Sequence, residues 1–493
     1  MIERKSMETK FKILIKETLY NSLAQSIIKL IQTPYFTLKT FLFLCVTISS
    51  GSCSFFIVKL ILDYLQYGVT TTLRIEYETP AATFPKITIC NVNPFATEYS
   101  ADFLKQINRE LNPNIDIFND SQMDKLNFSF KSDLLWMINQ RGISLMNSLN
   151  EIEKRKLSHP LEDIMQTCSF GFRPCSVEDF SWYFDSFYGN CWQFNSSPNR
   201  HTNSIPGELY GLWLGIYVNF NQNLKIFNSY YRGMGALIRI DNSSYLTSYY
   251  PMDGIKISPG YATSISMSRS FAYNLPKPYS NCLIDNQTNI DFKSELYKLI
   301  QDSAYFYTQS LCFTQCMQRF ILKECNCTNP TLTSLFTNVS QCLNLKEIEC
   351  VLYLYSTILS KDYFVPEYCL EECPLECYSE RFTFSYSSFE LIPYFYLDYL
   401  KTKSNLIKDF QRNISLEEAG KSFVYLKMFY NALSYETATE SPQTNLIWLF
   451  IGLGGYLSLF MGVSFFSLFE LIQVLIEIIC IKMSKSSSRV ENF

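Results

Sequence analysis

Histidine is almost missing from this chain: His159 and His201 are the only two among 493 residues. No Gly-x-Ser-x-Gly and no His-Glu-x-x-His segment occurs, so neither a nucleophile elbow nor a zinc-binding hydrolase helix has residues to build on. Charge is also scarce. Asp, Glu, Lys and Arg make up 18 % of the chain, below the ~25 % usual for soluble domains. No run of Lys and Arg is dense enough for a nucleic-acid surface, and a net charge of -4 does not alter that. By length the chain could hold two to four domains. Internal repeats and low-complexity linkers are lacking, so the central region reads as one multi-lobed unit.

What is abundant is aromatic and apolar. Aromatics reach 16 %, with 34 Tyr and 40 Phe, which suits a membrane-anchored, β-rich protein. Thr40 to Val58 holds nineteen residues without a charge, and its apolar character continues past Lys59 and Asp63 to Leu65. A span needs ~20 residues. A signal peptide is the competing reading, but about forty residues precede the run, which favours an anchor. A second run, Asn445 to Ile481, has thirty-seven residues with only Glu470 and Glu477 charged. As one straight helix it would measure ~55 Å against a hydrocarbon core of ~30 Å, so it must project, tilt or break.

Flanking charge sets the expected orientation. Met1 to Lys39 carries seven Lys/Arg against three Glu, and Lys482, Lys485 and Arg489 follow the second run. The reading is therefore a cytoplasmic N-terminus (1–39), a first span (40–65), an extracellular domain (66–444), a second span (445–481) and a cytoplasmic C-terminus (482–493). Two features fit. Of seventeen cysteines, Cys45, Cys53 and Cys480 fall in the spans, leaving fourteen outside, an even number suited to seven disulfides in an oxidising compartment. All eight Asn-x-Ser/Thr sites, Asn119, Asn127, Asn195, Asn242, Asn286, Asn326, Asn338 and Asn413, also lie there and are candidate glycosylation positions.

Strands are expected at Phe84–Val92, Leu212–Phe220 and Leu237–Ile240, and as two short strands around Pro259-Gly260 within Gly254–Met267. Helical periodicity appears at Ser100–Glu110, Ala304–Glu324 and Lys346–Thr357. The fold class is thus an α+β domain, a β-sheet core with peripheral helices, flanked by two transmembrane helices. Cys312 and Cys316 are one helical turn apart and point to one face, where Cys369 and Cys373 could bridge to both. Cys325, Cys327, Cys342 and Cys350 could close two short loops. Zinc is the rival reading of Cys325-x-Cys327, disfavoured by two histidines and an oxidising compartment.

The second run carries its own chemistry. Gly452, Gly454, Gly455 and Gly462 each cost ~1 kcal/mol in a helix, so they serve close packing or a break. Glu470, Gln473 and Glu477, at i, i+3 and i+7, share a face. Charge there is costly against lipid and belongs beside water or at the interface.

At this point the residues resemble the degenerin / epithelial sodium channel / acid-sensing channel superfamily. FPKITICNVNPF (84–95) is similar to its segment after span one, and YGNCWQFNSS (188–197) to its Cys-x-x-Phe-Asn motif. KISPGYATSISMSRSFAYNLPKPYSNC (256–282) resembles its Pro-Gly turn and Leu-Pro-x-Pro segment, Cys312–Cys377 its cysteine-rich thumb, and GGYLSLFMGVSFFSLFELIQVLIE (454–477) its second span. The resemblance covers nearly the whole chain in one order.

The resemblance implies a trimeric, amiloride-sensitive sodium channel of the plasma membrane, homo- or hetero-trimeric with sibling subunits, with both termini cytoplasmic. It implies no cofactor and no catalysis, only permeant sodium, with calcium a second candidate ion. It implies the pairs Cys90–Cys191, Cys168–Cys175, Cys282–Cys377, Cys312–Cys373, Cys316–Cys369, Cys325–Cys350 and Cys327–Cys342. Gly462, Val463 and Ser464 sit where the family has its Gly-x-Ser filter, Ile451, Gly452 and Gly455 in its gate region, and Glu470 and Glu477 as pore carboxylates. Tyr67 and Tyr279 match its coupling pair outside the membrane.

Departures shape the gating expectation. Ala24-Gln25 stands where the family carries His-Gly, Gly452 where acid-sensing relatives carry Asp, and Gly68-Val69 replaces their paired histidines. With little histidine to titrate near neutrality, an extracellular peptide is the expected agonist, and proton or mechanical gating of the same pore the alternative. A two-span ATP-gated receptor would call for a basic nucleotide cluster and fewer cysteines, and a tethered ectoenzyme for catalytic residues this chain lacks.

Overall fold

The computed structural model describes residues 34–197, 201–218, 234–242, 254–284, 294–391 and 422–462, together with Ser464, Phe469, Ile472, Gln473 and Ile476. Two compact units emerge. One comprises the chain up to Thr71 and from Glu440 on, the other Thr72–Thr439.

In the first unit, helix α1 (Phe36–Leu65) is thirty residues, long and apolar enough to cross a membrane. Almost none of it is buried, and Phe36, Ile48 and Phe55 stand well exposed. An apolar surface of that kind is unstable in water and comfortable in lipid. The α1 start lies four residues before Thr40, where the uncharged run begins, because Lys39 sits within the first turn.

The second unit is built on sheets. In chain order its strands are β1 (Val69–Tyr77), β2 (Ala82–Thr83), β3 (Lys86–Asn91), β4 (Met165–Phe170), β5 (Arg173–Pro174), β6 (Phe180–Asp185), β7 (Gly189–Phe194), β8 (Thr202–Asn203), β9 (Leu212–Tyr217), β10 (Ala236–Asp241), β11 (Ile255–Ile257), β12 (Tyr261–Tyr273), β13 (Tyr378–Glu390) and β14 (Phe423–Pro442). A seven-stranded sheet runs β13-β12-β14-β9-β4-β5 with β1 on β14, a five-stranded sheet runs β11-β10-β3-β7-β6, and β2 pairs β8. β12 and β14 are parallel and β12 and β13 antiparallel.

The two large sheets share one core. Phe84, Ile87, Ile89 and Phe194 meet Leu212, Leu214, Ile265, Met267, Leu426 and Met428, all buried. Inward residues on these strands alternate with less buried ones, as a sheet packed on one face requires. The Pro259-Gly260 turn does not join two short partners. β12 is thirteen residues long, and β11 and β12 belong to different sheets. Gly260 (φ 83) takes the left-handed turn and donates its N–H to Phe423 O at 2.7 Å.

The helices gather in two lobes, each with a core of its own. α2 (Glu98–Leu111) starts at a Thr97–Ser100 capping box, and α3 (Phe128–Ser148) is capped by Asn127. They pack through Leu104, Ile107, Leu134, Leu135, Ile138 and Met146. The other lobe holds α4 (Gln309–Cys325) and α5 (Leu345–Leu354). α4 begins five residues later than the periodicity from Ala304 predicts. The reason is Thr308, whose side chain accepts Leu311 N–H and fixes the first turn.

Candidate channel elements

Among the described residues, the first unit holds a pair of antiparallel helices. α6 (Leu446–Met461) begins where Asn445 accepts the Trp448 N–H at 2.8 Å. It meets α1 along a stripe at i, i+4, i+7 and i+11. Ser49 Oγ donates to Phe460 O at 2.5 Å, Cys53 Sγ lies 3.8 Å from Tyr456 O, and the Phe56 ring stacks on Tyr456 and Phe460 at 5.4 and 5.7 Å. Leu60 ends the stripe against Gly452, where an added Cβ would stand 2.7 Å from Leu60 Cδ2. Gly452 is therefore the small residue that lets two helices approach closely. A Cβ added at Gly454 or Gly455 would meet nothing within 4 Å among the described residues, and Ile451 is exposed.

α6 ends inside the apolar run. Gly462 caps it in the left-handed conformation (φ 71), donating to Ser458 O at 3.0 Å, and Ser464 is also non-helical. Phe469, Ile472, Gln473 and Ile476 are helical again. Of the three alternatives for an overlong run, the helix breaks. Val463, Glu470 and Glu477 lie outside the described residues, as do Ala24 and Gln25. Where the chain enters and leaves this unit, Gln443 N–H donates to Gly68 O at 2.9 Å and Ser441 Oγ to Thr70 O at 3.3 Å. Tyr67 (φ 51) sits half-buried in the turn after α1, its ring 6.2 Å from Tyr64.

In the second unit, Tyr279 lies half-buried in a turn closed by its N–H to Pro276 O at 3.1 Å. The lobe around α4 is a ladder of cross-links. Cys312–Cys373 and Cys316–Cys369 tie one α4 face to the segment before β13, and Cys325–Cys350 and Cys327–Cys342 close the loops after it. Cys282–Cys377 anchors the lobe to the chain leaving β12, Cys90–Cys191 staples β3 to β7, and Cys168–Cys175 closes the β4–β5 hairpin. Two fully buried amides hold a loop that has no regular structure of its own. Gln318 bonds to Asn329 N–H, Asn329 O and Leu332 O, and Gln315 to Thr333 O and Leu335 N–H. Arg319 forks onto Glu372 at 3.0 and 2.5 Å. Burial pushes the Tyr307 hydroxyl well above the ordinary phenol range while it donates to Pro374 O at 2.6 Å.

Charges inside the sheets are paired. Asp185 and Arg239 form a buried ion pair at 2.6 Å. Arg269 reaches Glu78 at 2.6 Å and also binds Glu380. Burial is the largest single influence and works against its charge, but Glu380, Tyr430 and Glu78 together outweigh it and raise the Arg269 pKa. The sequence gives no hint of this network, since its members are far apart along the chain.

The glycosylation positions divide by environment. Asn127, Asn326 and Asn338 are exposed, and Asn119 and Asn242 are half-buried. Asn286 and Asn413 lie outside the described residues. Asn195 is a correction. It is fully buried, its Nδ2 donates to Phe84 O and its Oδ1 accepts His201 N–H. The amide nitrogen that would carry a sugar is part of the core.

Comparisons with known proteins agree with these features. The pattern of the family described as "Amiloride-sensitive sodium channel" matches residues 19–474. The chain is 25 % identical to the degenerin-like protein asic-2 of Caenorhabditis elegans over 474 residues, covering 90 % of this chain and 83 % of that one. It is 24 % identical to acid-sensing ion channel 1A of Danio rerio (86 % and 80 % covered) and 28 % identical to the FMRFamide-activated amiloride-sensitive sodium channel of Cornu aspersum (55 % and 41 % covered). The chain belongs to the amiloride-sensitive sodium channel family, which includes degenerins, epithelial sodium channels and acid-sensing channels.

Proposed function

We propose that the chain is a pore-forming subunit of a trimeric, plasma-membrane sodium channel opened by an extracellular peptide and blocked by amiloride-type compounds. α1 is its first span and α6 the outer half of its second, with both ends of the chain in the cytoplasm. The observation that carries this reading is the helix stop at Gly462. A left-handed glycine followed by non-helical Ser464 ends the helix in the middle of an apolar run. Such backbone at membrane depth is tolerated where it lines water or protein, and there it can replace part of a cation's hydration shell. Val463 completes the filter, Ile451 and Gly455 face the gate, and Glu470 and Glu477 supply carboxylates on the permeation path. Support for peptide gating comes from the snail FMRFamide-activated relative and from the scarcity of histidine.

Expression alone and with sibling subunits, followed by whole-cell recording with ion substitution, tests the pore. Sodium replacement by an impermeant cation should abolish inward current. Amidated peptides and external acid are applied in turn. An acid response without any peptide response rejects peptide gating and leaves the channel reading intact.

A further inference from the structure

A hydroxyl on a helix in hydrocarbon has no water to bond, so it donates to a protein carbonyl, by default one of its own helix a turn back. Two hydroxyls of α1 do this. Thr40 Oγ1 donates to Phe36 O and Thr47 Oγ1 to Leu44 O, both at 2.9 Å. Ser49 does not. Its Oγ crosses to α6 and donates to Phe460 O at 2.5 Å. A carbonyl one turn back exists for Ser49 as well, since α1 runs unbroken from Phe36. The crossing bond is therefore a property of the helix pair and not of α1 alone.

The acceptor stands at the end of α6 where the helix stops. Phe460 is its second-last residue, and Gly462, two residues on, leaves in the left-handed conformation. The Phe56 ring stacks on Phe460 and Tyr456, and the Cys53 thiol lies 3.8 Å from Tyr456 O, one turn earlier. Stacked rings tolerate a range of offsets, whereas a hydrogen bond sets the distance and direction of one carbonyl. The half-buried Ser49 hydroxyl thus fixes the α6 backbone itself, two residues before Gly462. Groups that sort ions have to be held to about half an ångström, and their supports do the holding.

We infer that Ser49 is a positioning residue for sodium selection: from α1 it holds the last turn of α6 in register and so sets where the backbone of residues 462–464 stands on the permeation path. The role rests on the reading of those residues as the filter, and its test separates the two. Ser49→Ala, Ser49→Val, Ser49→Thr and Gly462→Ala are each made in the full-length chain and expressed alone and with sibling subunits. Surface biotinylation measures delivery, and reversal potentials give the sodium-to-potassium permeability ratio. Threonine and valine have one shape and differ in the hydroxyl. The ratio should change at least about twofold in the Ala and Val variants and stay near the wild-type value in the Thr variant. An unchanged ratio in Ser49→Ala, or equal changes in the Thr and Val variants, would overturn the role and leave Ser49 a packing residue. Failure of the Ala and Val variants to reach the surface, with Thr delivered, would make the bond one of folding and overturn it too. If Gly462→Ala shifts the ratio and Ser49→Ala does not, the filter stands without this support. If Ser49→Ala shifts it and Gly462→Ala does not, Ser49 remains a determinant of selection and the filter moves away from residues 462–464. A wild-type chain that conducts nothing in either setting removes the channel reading and this role together.

Discussion

Gly452 and Leu60 meet so closely across the α1–α6 interface that one added carbon on the glycine would stand 2.7 Å from Leu60 Cδ2. The neighbour is the far end of a flexible side chain, so size decides the outcome. Gly452→Ala should be near neutral, since Leu60 can rotate and alanine favours the helix. Gly452→Val should destabilise by about 1–3 kcal/mol, and Leu60→Ala in the same chain should recover at least half of that. Thermal midpoints of the detergent-solubilised protein measure both, and additive effects of the two changes would refute the contact.

Gly462 is expected to tolerate no side chain, because its left-handed φ of 71 costs an L-residue ~1–2 kcal/mol. If the helix stop builds the filter, Gly462→Ala alters the reversal potential under sodium–potassium exchange. A mutant with unchanged selectivity and full current would place the filter elsewhere.

Glycopeptide mapping should find sugar on Asn127, Asn326 and Asn338 and none on Asn195. Replacing Asn195 by Gln should instead reduce surface expression, since both of its amide atoms are bonded within the core. A glycan on Asn195 in folded, surface-delivered protein would contradict that packing.

Replacing Cys312 and Cys373 together by Ser removes a link between residues sixty-one apart. It should lower the stability of the α4 lobe by ~2 to 4 kcal/mol. Limited proteolysis near Glu372 reads this out, and unchanged protection would show that the Cys316–Cys369 rung suffices.

Glu347 closes a capping box at the start of α5, accepting the N–H groups of Asn344 and Leu343 at 2.9 and 2.8 Å. The backbone bond from Asn344, with lesser help from Leu343, lowers its pKa. A carboxylate whose folded pKa lies below its unfolded value stabilises fully above the unfolded pKa, and the gain is lost as pH falls through the folded one. Glu347→Gln should therefore lower the thermal midpoint slightly at pH 7 and by less at pH 3, the effect being small because the group faces solvent. An equal loss at both pH values would show that its charge is irrelevant.

Much of this was legible in the residues because local chemistry dictated it. Leu104 and Ile107 recur at helical spacing in α2, and β3 alternates Ile87 and Ile89 with Lys86 and Thr88. The twenty-residue β14 was not legible, since Tyr, Thr and Glu mix along it and only its pairing with β12 and β9 decides the strand. α3 was passed over although Leu134, Ile138 and Met146 are periodic and Asn127 is a good cap. Asn195 shows the opposite failure: a three-residue pattern is visible in sequence, but burial against Phe84 is not. Arg173 and Asn203, thirty residues apart, line one cavity only because the β4–β5 hairpin comes up beside β8, and the seven-residue spacing of Cys168 and Cys175 was the one sign of a tight loop there.

The turn at Pro259-Gly260 has a mechanical corollary. Only three residues separate β11, in one large sheet, from β12, in the other, and Gly260 is also tied to the first residue of β14. Such a short strap has no slack, so a tilt of the five-stranded layer must pull on the top of its neighbour instead of being absorbed by a yielding loop.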